Sequence, residues 1–196
     1  MSILLTYILD DKIIVIHKFR SIAMSTIDKK DEHAELLNAL ISRQSLLSTN
    51  RMQYIVYAAA LATQNKKVLQ TIQHLVGDIT IINRKDIHHA VVRMAATNTY
   101  DMAMHQIDLT CNTTNAMQLA PLKELDVEDI TSYYYACIAA CLVNKGYSCL
   151  NNHISLLRSC NESDDSINMA LRLAASVLTM CQSSFNTDYF LDNTLI

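Results

Sequence analysis

Four side chains between residues 133 and 153, in YYYACIAACLVNKGYSCLNNH, have the identity and spacing to do chemistry. Cys137 and Cys141 stand four apart, and so do Cys149 and His153. That spacing puts each pair on one face of a helix. Lys145-Gly146 between the pairs marks a turn. If the chain reverses there, Cys141 meets Cys149, and Cys137 meets His153 one turn further out. Three thiolates and an imidazole at ~2.0–2.3 Å suit tetrahedral zinc. The same residues have a plainer reading, because unpaired cysteine is among the most buried residue types and packs as a small hydrophobe. Ala136, Ile138, Ala139, Ala140 and Leu142 surround the first pair, and the tight ligand turns of zinc knuckles are missing. Core packing is the preferred reading and zinc the alternative. Cys111, Cys160 and Cys181 are isolated in the sequence.

Other groups carry weaker signals. Tyr133, Tyr134 and Tyr135 cover most of a helix circumference, so at least one meets the core and one the surface. An exposed tyrosine is a good interface anchor. His88-His89 and His105 make a second possible cluster, though adjacent histidines point about 100° apart on a helix and cannot share a ligand site without help. Lys29-Lys30, Lys66-Lys67 and Arg84-Lys85 are basic doublets that could hold phosphates if they line one edge. The carboxylates at Asp126, Glu128 and Asp129, and at Asp164-Asp165, suit helix starts. Two glycines in the whole chain leave no material for a phosphate-cradling loop or a nucleophile elbow. No catalytic motif stands out, no cofactor is implied, and a non-enzymatic protein is expected.

The elements that must position these residues follow from composition. Of 196 residues, 51% are hydrophobic, with only Gly 2 and Pro 1. Many-turned β-sandwiches and barrels need glycine and proline at their turns. This chain instead predicts helices joined by Asn, Asp, Ser and Thr loops. Formal net charge is -3, with Lys and Arg concentrated in the N-terminal half and Asp and Glu in the C-terminal half. This asymmetry bears on solubility and association, and leaves a nucleic-acid-binding protein using the basic half as an alternative. Six cysteines are too few for a disulfide scaffold. MSILLTYILDD is a poor secretory signal, and no stretch reaches the ~18 apolar residues of a membrane span. A soluble protein of a reducing compartment is expected, cytoplasmic or nuclear.

Along the chain, residues 1–20 predict a β-hairpin or extended arm, with ILLTYIL and IIVIHKF flanking Asp10, Asp11 and Lys12. Residues 21–182 predict one all-α domain: seven or eight helices in antiparallel pairs, as a bundle or a short solenoid-like stack. Residues 109–125, holding Pro121, mark a weak internal boundary. Residues 183–196 are expected as a tail, with Phe185, Tyr189, Phe190 and Leu191 as apolar anchors. A longer helix, a polar break and a shorter helix recur at 50–76, 85–108 and 126–159. Ala95-x-x-x-x-Tyr100-Asp101-x-Ala103 partly resembles the second half of a tetratricopeptide repeat. The opening and terminal proline of that family are absent, so only the stacked helix pairs are retained.

These features lead to a helical protein–protein interaction protein, whose aliphatic arm covers a groove or pairs between subunits, favouring a homo-oligomer. The Ile-, Asn-, Asp- and Tyr-rich composition suggests an AT-rich genome, as of a large virus or a parasite. A host-interaction or assembly role would fit such a source.

Overall fold

A computed structural model describes residues 32–107, 117, 119, 120 and 122–192. The arm expected over 1–20 lies outside the described residues. Among them are seven α-helices, one 3-10 turn at Leu122–Glu124, and no strand. The helices are α1 Glu32–Arg43, α2 Thr49–Ala62, α3 Lys66–Val76, α4 Ile81–Gln106, α5 Ile130–Val143, α6 Tyr147–Ser159 and α7 Asp164–Asp192.

Local sequence sets the helix ends. Ser48, Asn65, Thr80 and Asp129 each cap a helix start, their side-chain oxygens accepting backbone N–H groups of the first turn. Gly77 ends α3 with φ 74°. Elsewhere among the described residues the left-handed conformation falls on residues other than glycine: Gln64, Asp126, Lys145 and Asn161 take φ of 56°, 49°, 59° and 62°. Left-handed backbone costs such residues on the order of 1 kcal/mol each, which packing of the flanking helices offsets.

Two sequence expectations are corrected. Thr97-Asn98-Thr99 does not break a helix; α4 runs unbroken for 26 residues. The Thr97 and Thr99 hydroxyls donate back to the carbonyls of Arg93 and Ala95, at 3.0 and 2.9 Å, so these polar residues stay within helical geometry. Ser183 does not begin a tail, because α7 continues to Asp192. A bond from Gln182 Nε2 to Asn186 Oδ1, 2.9 Å, links successive turns there.

The repeat in the structure differs from the one the sequence suggests. Helices α2-α3-α4 form one unit and α5-α6-α7 a second, offset by about 81 positions. In both, a 14-residue helix is followed by a three-residue turn and a second helix. The turns are Thr63-Gln64-Asn65 and Asn144-Lys145-Gly146, each with its middle residue left-handed. Contacts obey the same relation. Helix α2 packs on α5 at the centre, α2–α3 matches α5–α6, α2–α4 matches α5–α7, α2–α7 matches α4–α5, and α3–α7 matches α4–α6. This is the pattern of two three-helix units about an approximate twofold axis between α2 and α5.

The central helices are apolar all round, as buried helices must be. Tyr54 through Ala60 on α2, and Tyr135 through Cys141 on α5, are buried. Ala58, Ala59, Ala139 and Ala140 are small enough to let the two backbones approach. The outer helices bury single stripes: Val68 and Ile72 on α3; Ile87, Ala90, Met94 and Asn98 on α4; Ile167, Ala170, Ala174 and Val177 on α7.

Gly146 illustrates how tightly the units join. A β-carbon built there would lie 2.1 Å from Asn98 Cγ. Asn98 is buried and has nowhere to retreat. Gly146→Ala is therefore expected to cost about 1–3 kcal/mol. Part of that loss should return when Asn98→Ala is added, measured as a favourable coupling in a urea double-mutant cycle.

Candidate functional site

The α5–α6 hairpin forms as the sequence predicts, with Gly146 N–H donating to Cys141 O at 2.8 Å across the turn. The three thiols act on one another electrostatically, Cys141 and Cys149 on Cys137 and Cys149 on Cys141, and each also has neighbours of its own. The Cys141 thiol lies 3.3 Å from Met94 Sδ and donates to Asn98 Oδ1 at 3.5 Å. The Cys149 thiol donates to Asp101 Oδ2 at 3.0 Å. The largest influence on Cys137 after its own burial is Cys141, and the His153 ring lies 5.9 Å from that of Tyr134, tilted by 39°. Among the described residues, no three His, Cys, Asp or Glu side chains gather as a metal-holding group.

The electrostatics hold every one of these groups neutral. Burial raises Cys137 well above the ordinary thiol range, with Cys141 adding to it. Burial pushes Cys141 up to about 12. Burial, then the Asp101 carboxylate, pushes Cys149 up to about 11. Burial, then the Arg93 charge, lowers His153 to about 4. Thiols protonated at neutral pH are poor nucleophiles and poor ligands. The twofold relation gives the same answer independently, since Cys137, Cys141, Cys149 and His153 occupy the places that Val56, Ala60, Val68 and Ile72 hold in the first unit. All four of those are buried apolar residues. The geometry favours core packing over the zinc alternative.

The three tyrosines divide. Tyr133 and Tyr135 are buried, and Tyr134 is partly exposed, so of the three only Tyr134 is placed to serve as an interface anchor. The Tyr133 hydroxyl lies 3.2 Å from His89 Nδ1, and burial, then the charge of Arg93, lowers the pKa of that histidine. Tyr135 OH donates to Glu162 Oε2 at 2.8 Å, and Arg51 grips the same carboxylate with two nitrogens at 3.0 and 2.9 Å. The first unit has a counterpart: Tyr54 OH donates to Asp86 Oδ2 at 3.1 Å, and that oxygen also accepts the Glu128 N–H at 3.2 Å. Ser166, on the matching turn of α7, donates to Leu46 O at 3.3 Å. Each unit's third helix thus bonds to the segment leading into the other unit. Sequence reasoning missed both carboxylates, because their partners lie 27 and 32 positions away.

Lys66-Lys67 and Arg84-Lys85 stand at opposite ends of α2. Lys66 and Lys67 follow the C-terminal end of α2, whereas Arg84 and Lys85 lie near its N-terminal end, where Asn83 bonds to Asn50 at 2.8 Å. A 14-residue helix separates them by roughly 20 Å. Lys67 pairs with Asp188 at 2.6 Å, Arg84 with Asp78 at 3.9 Å, and Lys85 with Asp126 at 3.5 Å. Lys66 has no ion pair among the described residues. Lys29 and Lys30 lie outside the described residues.

A different surface stands out at the end of α7. Among the described side chains of α7, Met180 is the last that is buried. Beyond it Phe185 and Phe190 are 62% and 60% exposed. Phe185 stacks on Tyr189 at 6.5 Å, and Tyr189 meets Phe190 edge-on at 5.7 Å. Beside this row a groove of about 520 Å³ runs between α7 and the α2–α3 turn. Leu178, Cys181 and Phe185 line one wall, and Thr63 to Lys67 the other. No helix among the described residues is long and apolar enough to cross a membrane. The sequence matches no protein-family profile and no curated protein.

Proposed function

We propose that this chain is a non-enzymatic interaction protein whose binding surface is the C-terminal end of α7. One observation carries this reading: an aromatic row stands exposed toward the end of α7, beside a groove. Contiguous exposed aromatic surface of that kind is characteristic of interfaces, and large rigid rings are the side chains that contribute most to binding energy. The buried stripes of α3, α4 and α7 pack the two units together, and the exposed apolar residues of the other helices include no comparable row of ring contacts among the described residues. The Cys and His residues of the α5–α6 hairpin support the fold and not chemistry.

Capture experiments with the full chain test this. A protein partner bound by the wild type should lose at least tenfold in affinity for Phe185→Asp/Phe190→Asp, a change at two exposed positions. Equal binding by both overturns the proposal. Light scattering against the 22.1 kDa chain mass shows whether that partner is a second copy, as the aliphatic arm suggests.

A further inference from the structure

We infer that α6 is a releasable cover: in mild acid it lifts off α4 and α5 as one helix, while the rest of the bundle stays folded. The motion is local, and it does not depend on the reading of the α7 surface.

Helix α3 fills the same place in the first unit, and the comparison shows where α6 is weakly held. Asn65 caps α3, its side chain accepting from the N–H groups of Lys67 and Val68 at 3.0 and 3.2 Å. Gly146 stands at the matching position before α6, which has no side-chain cap bond. Such a bond is what holds a first turn in place. The inner faces differ more. Val68 and Ile72 seat α3 in the apolar core, and the matching residues of α6 are Cys149 and His153.

Among the described residues, two buried polar atoms lack a hydrogen-bond partner, Asn98 Nδ2 and His153 Nδ1. Both lie where α6 meets the bundle. His153 belongs to α6, and the Asn98 amide presses on the residue that starts it, since a β-carbon on Gly146 would sit 2.5 Å from Nδ2. Buried polar groups without partners recover water when an interface opens. This interface therefore loses less on opening than an apolar one of equal area.

Acid supplies the bias. Burial first, and Arg93 on α4 second, hold the seated His153 ring to about 4, whereas in water an imidazole takes its proton near 6.5. The other facing groups do not offset this. On α4, Asp101 is engaged by the Cys149 thiol at 3.0 Å, one turn from the ring. On α5, the ring meets Tyr134 at 5.9 Å, and the Cys137 thiol is held neutral by burial. On α7, Asp164 is engaged with Arg158 at the far end of α6, 2.8 Å. A released helix thus binds a proton that a seated one refuses, and release is favoured below pH 6.5 and disfavoured above it. Between pH 7.5 and 5.0 the ratio of released to seated α6 should rise roughly twenty-five-fold. Release uncovers the face of α5 that includes Cys137 and Cys141, on both of which Cys149 acts.

Amide exchange of the full chain, followed by mass spectrometry at pH 7.5 and 5.0, reads the release. At pH 5.0 the α6 amides from Leu150 to Leu157 should be at least tenfold less protected than the α5 amides from Tyr135 to Cys141. Their protection should change little with urea below the unfolding midpoint, as expected when one helix opens and the whole chain does not. From pH 7.5 to 5.0, α6 protection relative to intrinsic exchange should fall roughly twenty-five-fold. His153→Ile should remove most of that fall, and His153→Gln, polar but uncharged, should do the same; urea midpoints show that each is folded. Protection of α6 that matches α5 in size and in urea dependence overturns the proposal, because the opening is then global. A fall of less than threefold in the wild type overturns it too, as does a full fall in either folded variant. The comparison of α6 with α5 needs no variant, so it decides even where both substitutions unfold the chain.

Discussion

Glu162→Ala is expected to destabilise the fold by about 2–4 kcal/mol, a large part of the ~5–15 kcal/mol that holds a domain of this size. The carboxylate is 9% exposed and accepts three bonds, one from Tyr135 and two from Arg51. The consequences for the two donors differ. Arg51 is 31% exposed and can turn its guanidinium into water, so its share is modest, as for other partly exposed ion pairs. Tyr135 is fully buried, and its hydroxyl has no such escape. An orphaned buried donor costs roughly 1–3 kcal/mol. This predicts an order: Glu162→Ala worst, Glu162→Gln intermediate because the amide oxygen still accepts from Tyr135, and Tyr135→Phe mildest at about 1 kcal/mol. Once Tyr135→Phe is present, Glu162→Ala should cost visibly less than it does alone. Urea midpoints at neutral pH measure all four. A Glu162→Ala midpoint equal to wild type, or additive losses in the double variant, would remove the network from the account of stability.

How much of this was legible in the sequence depends on which interactions are local. The all-helical class was, because scarcity of glycine and proline and three-four apolar spacing both act within one or two turns. So were the stops at Asn65 and Gly77 and the reversal at Lys145-Gly146. The unbroken course of α4 was not: Thr97 and Thr99 look like a break until their hydroxyls are seen to bond back to Arg93 and Ala95. The extension of α7 was missed for a similar reason, since Ser183, Ser184 and Asn186 resemble a polar tail. The 81-position repeat was hidden by substitution. Matching places hold Val56 and Cys137, Ala60 and Cys141, Val68 and Cys149, Ile72 and His153. These are equivalent as buried volume and unlike as letters. For the same reason the Cys and His spacing was legible as geometry but misleading as chemistry; burial, visible only in three dimensions, decides what a thiol or an imidazole can do.

The Ile72–His153 correspondence leads to the second large effect. Burial first, and Arg93 second, lower His153 to about 4 from an ordinary value of 6.5. The folded protein thus resists a proton that the unfolded chain accepts. Between those two values the unfolded state binds more protons, so stability is whole above pH 6.5 and is lost as the pH falls toward 4. The difference of about 2.5 units corresponds to roughly 3 kcal/mol at the acid end. The same ring has a buried Nδ1 with no hydrogen-bond partner among the described residues, so a proton on that nitrogen gains no bond in the folded state. His153→Ile places in the second unit what the first already carries. At pH 7 the exchange should change stability by less than about 1.5 kcal/mol, since it swaps similar volumes and removes an unsatisfied nitrogen. At pH 4.5 the variant should exceed wild type by about 2–3 kcal/mol. Carboxylates and His89 titrate in both proteins and cancel in the comparison, which leaves the imidazole at 153 as the source of any divergence. Urea midpoints collected from pH 4 to 8 give the two curves. If they run parallel, His153 reaches water in the folded state, and the second hairpin is looser than the first.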